Sequence, residues 1–93
     1  MDKCYIVYCE SYDPGIEDSM SYPEVEHICA TKEIATLRLR EEYMDLYKQR
    51  HEKKLRFSGV KYEDFGDTLE YVINEMGHLV VRTYIKEHSF ENS

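Results

Sequence analysis

Four side chains in this sequence have the chemistry of a metal or nucleophile site: Cys4, Cys9, Cys29 and His27. Thiolate and imidazole are common zinc ligands, and neighbouring strands can bring such residues together. The spacing opposes it. Cys4 and Cys9 are an odd number of positions apart, so a regular strand points them to opposite faces. There is no Cys-x-x-Cys pair, and three cysteines leave one thiol over if the other two are bridged. Buried apolar thiols in a reducing compartment are the simpler reading. Neither a metal nor a cofactor is expected.

Nucleophilic catalysis would need Cys29 beside His27 or His78, with donors arranged for an oxyanion. Residues two apart on one strand share a face but stand several ångströms apart, and no elbow turn or oxyanion motif accompanies them. The acidic pairs Asp13 with Glu17 and Glu63 with Asp64 fall in loops that have no periodic reason to converge. A glycine-rich phosphate loop and a His-Glu-x-x-His helix are both missing from the sequence. The expectation is a protein that is not an enzyme.

Composition narrows the remaining classes. Ninety-three residues suit one domain, here taken as 1–93, and 42% hydrophobic with 33% charged residues suits a globular chain. No apolar run approaches the roughly 20 residues of a bilayer span. The start, MDKCYIVYCE, lacks the basic and long apolar regions of a signal peptide, so a cytoplasmic protein without membrane contact is expected. The net charge is −7, and it is unevenly spread. Residues 1–31 carry seven acids against Lys3, residues 32–56 eight bases against five acids, and residues 57–93 seven acids against three bases. Direct nucleic-acid binding fits this poorly, whereas a protein partner with a basic surface fits it well. The same acidity would also serve solubility alone.

The elements that must position these residues follow from periodicity. Lys3–Glu10 reads as a short strand with apolar residues on both faces, hence interior and covered on both sides. Ser11–Pro23 is a long acidic loop, and Glu24–Ala30 a second strand with Val25, His27 and Cys29 on one face. Thr31–Arg56 is the one long helix, capped by Thr31, with Glu33 in its first turn and a basic last turn that suits the helix dipole. Its periodicity places Ala35, Leu39, Tyr43, Leu46 and Tyr47 on one flank, and Leu37, Met44 and Leu55 on an adjoining one. Glu41, Glu42, Asp45, Gln49 and Glu52 fill the polar arc. Phe57–Asp67 reads as a loop broken by Gly59 and Gly66, and Thr68–Asn74 with His78–Lys86 as a hairpin, Gly77 closing its turn. Glu87–Ser93 reads as a frayed polar tail. The expected fold is α+β in the order strand-strand-helix-strand-strand: a four-stranded antiparallel or mixed sheet with the helix across one face.

Nine tyrosines against three phenylalanines and no tryptophan give the strongest functional lead, because tyrosine suits surfaces that are apolar in body and wet at the tip. The leading expectation is a non-enzymatic acidic interaction module, self-associating as a homodimer or higher homo-oligomer. In composition alone it fits a phage-type inhibitor that mimics nucleic-acid charge. The expected partner-binding set is Tyr12, Glu17, Asp18, Tyr22, Tyr62, Glu63, Asp64 and Phe65, and the self-association set is Leu37, Met44, Leu55, Tyr8 and Tyr84. The alternative is a module that binds or sequesters a nucleotide or other anion at the open sheet face or a dimer seam, through His78, Arg82, Lys54 and Arg56.

Overall fold

A computed structural model of the chain describes residues 3–15, 22–52, 56–74 and 79–90. Its elements in order are β1 (Lys3–Tyr12), β2 (Glu24–Cys29), α1 (Lys32–His51), β3 (Phe57–Tyr62), β4 (Thr68–Ile73) and β5 (Leu79–Ser89). The strands form one sheet in the order β2-β1-β5-β4-β3. All four neighbouring pairs are antiparallel. The α+β class is as expected, but the sheet has five strands rather than four.

The added strand is β3, which lies in the stretch expected to be a loop. Gly59 has φ 59, in the left-handed region that glycine enters freely, and the β3–β4 register shifts between Ser58 and Lys61. Such a bulge breaks the strict alternation by which a strand is recognised. β5 also runs further than expected. Glu87, His88 and Ser89 pair with Tyr5, Cys4 and Lys3, so these residues of the expected tail belong to the sheet. The hairpin of β4 and β5 is present, while its turn, including Gly77 and His78, lies outside the described residues.

The helix begins as its cap residue dictates. Thr31 is extended (φ −131°, ψ 156°), and its Oγ1 accepts a hydrogen bond from the Ile34 amide at 3.2 Å. α1 ends at His51, and the Lys54 and Leu55 positions lie outside the described residues. Ala35, Thr36, Leu39 and Leu46 are its buried residues. Leu39 and Leu46 join Phe57, Leu69, Tyr71 and Val81 in the larger core cluster, and Ala35 packs with Val7 and Cys29 in the smaller. Each fully buried aliphatic chain such as Leu39 or Leu69 contributes about 1.5–3 kcal/mol.

Two layers result. β1 is flanked by β2 and β5, as expected of an interior strand, and Val7 and Cys9 lie under the helix. Its other face is different from the expectation. Cys4, Ile6 and Tyr8 are half-buried, and among the described residues no element is layered on them. Among the same residues no helix is long and apolar enough to cross a membrane.

Candidate functional site

Cys4 pairs with His88 and Cys9 with Thr83, which puts them on opposite faces of the sheet. Burial pushes the Cys9 thiol up to about 11, and burial also raises Cys29. A thiol held so far above neutral pH carries almost no thiolate. Among the described residues no group of three His, Cys, Asp or Glu side chains is placed to hold a metal ion.

Three surfaces remain. The first is the turn between β3 and β4. The Gly66 amide donates to the Glu63 carbonyl at 2.7 Å, closing a tight turn with Asp64 and Phe65 at its centre. Phe65 has φ 62, the one positive φ of a non-glycine residue among those described. A turn of this kind ordinarily puts Gly or Asn there, and left-handed backbone costs a bulky residue about 1–2 kcal/mol. Gly66 is required for a separate reason: a Cβ on it would lie 2.8 Å from the Glu63 carbonyl oxygen. The Phe65 ring is 57% exposed. The Arg40 guanidinium lies over it, 5.4 Å from its centroid. Arg40 Nε also lies 3.6 Å from Asp64 Oδ1, and the Tyr62 hydroxyl donates to that same oxygen at 3.0 Å. Tyr62 in turn stacks on Tyr43 of α1, centroids 4.1 Å apart. Partial burial, with the Asp64 bond, raises the Tyr62 hydroxyl above its usual range.

The second surface is a groove of about 400 Å³ between β2 and α1, lined by Glu26, His27, Arg38, Glu41, Glu42 and Asp45. The β1–β2 register jumps from Val7↔His27 to Tyr8↔Val25, leaving Glu26 as the extra residue of a bulge. The bulge turns Glu26 to the helix side, where strict alternation would have sent it to the opposite face. Glu42 is the second departure. It leaves the polar arc expected of the helix, is half-buried, and accepts a hydrogen bond from the buried Thr83 hydroxyl at 3.2 Å. Burial, then repulsion from Glu26, pushes Glu42 up to about 7.

The third surface is the face of the sheet away from the helix. Tyr8 and Tyr84 stack there at 5.6 Å, and Tyr8 Oη lies 3.0 Å from His88 Nε2. Arg82 sits 5.6 Å from the Tyr84 centroid and 3.9 Å from Glu10. A shallow depression of about 400 Å³ is lined by Glu10, Asp67, Thr68, Arg82, Tyr84 and Lys86 with the Ile85 backbone strand between them.

These surfaces divide the expected site residues. Tyr62, Glu63, Asp64 and Phe65 come together at one corner. Tyr12, opposite Val80, lies on the face away from the helix, and Tyr22, 92% exposed, precedes the far rim strand β2. Glu17 and Asp18 fall outside the described residues. Leu37 and Met44 are exposed on the outer side of α1, while Tyr8 and Tyr84 lie beyond the sheet, so the two halves of the self-association set form separate patches. Arg82 is on the third surface. Arg56 is exposed just before β3, its carbonyl accepting from the Asn74 amide at 3.0 Å. Glu26 and Glu42 were missed as site residues. No regular period shows a bulge, and Thr83, the partner of Glu42, is 41 positions away.

Comparison of the chain with protein-family models, with curated proteins and with solved structures finds no match.

Proposed function

We propose that this protein is a non-enzymatic acidic interaction module that acts by stoichiometric binding to a protein with a basic surface. Binding of this kind suits an inhibitor that presents charge in place of a nucleic acid. The observation that carries the reading is Phe65: an exposed aromatic ring in left-handed backbone, bracketed by Glu63, Asp64 and Asp67. Strain of this kind persists only where something else selects for it. Burial of an aromatic anchor inside a charged rim is how a small interface concentrates its affinity. Tyr62 and Arg40 fix the anchor in advance, which lowers the ordering cost of association. The test is recovery of the tagged protein from the cells that produce it. A stoichiometric protein partner, released as salt rises to about 0.5 M, supports the reading. Absence of any partner sinks it, and retention in high salt sinks the charge-mimic version.

Self-association belongs to the same reading. The Tyr8–Tyr84 stack and the outer Leu37–Met44 pair are two apolar patches either of which suits a second copy. Molecular mass in solution, with Tyr84→Glu and Met44→Glu as separate variants, decides whether either is used.

A second reading rests on the depression at Arg82. Its guanidinium and the Lys86 ammonium offer two charged donors to an anion, and Tyr84 offers a ring to a base. A nucleotide held there raises the melting temperature by mass action, and Arg82→Ala removes the rise.

A further inference from the structure

β2 is one rim of the sheet, and every residue from Glu24 to Ile28 is exposed. Among the described residues only β1 pairs with it, so one side of its backbone has donors and acceptors open to another strand. Its two sides differ sharply in chemistry. Val25 and Ile28, paired with Tyr8 and Ile6, lie 54% and 72% exposed on the side away from the helix. On the helix side the groove holds Glu26, Glu41, Glu42 and Asp45 against Arg38 and His27. Arg38 is already engaged by Glu41 at 3.2 Å, which leaves the negative charge of the groove on Glu26, Asp45 and, as pH rises through about 7, Glu42.

We propose that β2 is a docking edge for an extended basic segment of another protein, which adds as a sixth strand and sets Lys or Arg side chains over the Glu26–Asp45 groove. The inference rests on the interaction reading above and gives the partner its chemistry. Side chains of an added strand alternate between faces, so a segment of alternating basic and apolar residues matches both sides of β2 at once. The basic set meets the carboxylates and the apolar set extends the Val25–Ile28 patch. Main-chain pairing supplies affinity and the alternation supplies specificity. A second copy of this chain is a poor occupant, because it brings Glu24, Glu26 and another net −7 against the same groove. Charge and a bulge on a rim strand guard against self-pairing, and the same charge attracts a basic strand.

The probe is a fluorescein-labelled octapeptide alternating lysine and valine, titrated by fluorescence anisotropy at low salt. Binding is expected with Kd below about 1 mM, and amide shift changes in a labelled protein should centre on 24–29. Glu26→Gln, Glu41→Gln and Asp45→Asn together should weaken it at least about tenfold, since close charge pairs are worth more than 1.4 kcal/mol. All three residues are exposed, so the variant keeps its core. Two further peptides carry backbone N-methyl groups on alternate residues, one on the odd set and one on the even; one of them should lose binding with its charge intact. Equal binding by both methylated peptides, no effect of the triple substitution, shift changes centred on 63–66, or no binding at all would each overturn the docking edge. A salt-sensitive cellular partner that the triple variant retains in full would overturn it while leaving the interaction reading in place. Loss of every partner from the unmodified protein would remove both.

Discussion

The two rims of the sheet are finished in opposite ways. At β3 the rim is packed with rings on its helix side: Phe57 is buried, with Tyr47 at 5.6 Å, Tyr71 at 6.3 Å and the Arg50 guanidinium 5.5 Å from its ring. Tyr43 and Tyr62 close the adjoining corner by stacking. At β2 only Cys29 is buried, and acids take the place of rings. Both rims carry a bulge, but one is absorbed by Gly59 and the other puts Glu26 into a groove. The difference teaches where this fold is held together and where surface is left free. α1 lies between them, buttressing the aromatic rim with Tyr43, Tyr47 and Arg50 and lining the acidic one with Glu41, Glu42 and Asp45.

That contrast is open to direct attack. Phe57→Ala should destabilise the protein by about 3–4 kcal/mol in urea denaturation, since it removes a buried ring from the packed rim. Ile28→Ala on the other rim should stay within about 0.5 kcal/mol. Comparable losses at the two rims would erase the distinction. Gly66→Ala should come next, lowering stability by about 1–3 kcal/mol, because its Cβ meets a backbone oxygen that can move only with the turn. A change below 0.3 kcal/mol on the same ~1 kcal/mol scale would mean the turn is soft.

Glu42 tests the acidic side through pH. Its ordinary value of 4.5 rises to about 7 in the fold, from burial first and then the charges of Glu26 and Asp45, with the Thr83 hydrogen bond opposing. Cys9 and Tyr71, from β1 and β4, face the same region. The folded state therefore holds this proton more tightly than the unfolded chain does. Its contribution to stability is complete below about 4.5 and is lost as pH rises through about 7. Glu42→Gln, which keeps an acceptor for Thr83, should stabilise the protein by about 1–2 kcal/mol at pH 8 after allowance for screening, and have little effect at pH 4. A pH-independent effect would show that the carboxyl is not strained. A smaller stability effect belongs to Phe65→Asn, a gain of up to about 1 kcal/mol from relief of left-handed strain, offset by the lost Arg40 contact. The same change should weaken partner binding at least about tenfold if the ring is the anchor.

Local rules made much of this legible in advance. The Thr31 cap, the helix core positions Ala35, Leu39 and Leu46, the β4–β5 hairpin and the opposed faces of Cys4 and Cys9 all follow from short-range period and spacing. β3 was not legible, because Gly59 interrupts the alternation that marks a strand. Of the candidate sites, the corner of Tyr62 to Phe65 could be read because its members are neighbours in the chain. The groove could not, since it joins β2 to residues 11 to 19 positions later and depends on a bulge.

The sequence by itself determined the class of fold, the helix and its buried face, and the acidic balance, because propensity, capping and composition act over a few residues. Tertiary structure alone decided which rim is packed with rings and which is lined by acids, that Glu26 turns toward the helix, and that Glu42 is drawn in to Thr83. Those outcomes depend on register between strands and on side chains meeting across layers, where the cost of burying one carboxylate is set by neighbours that the chain brings from far away.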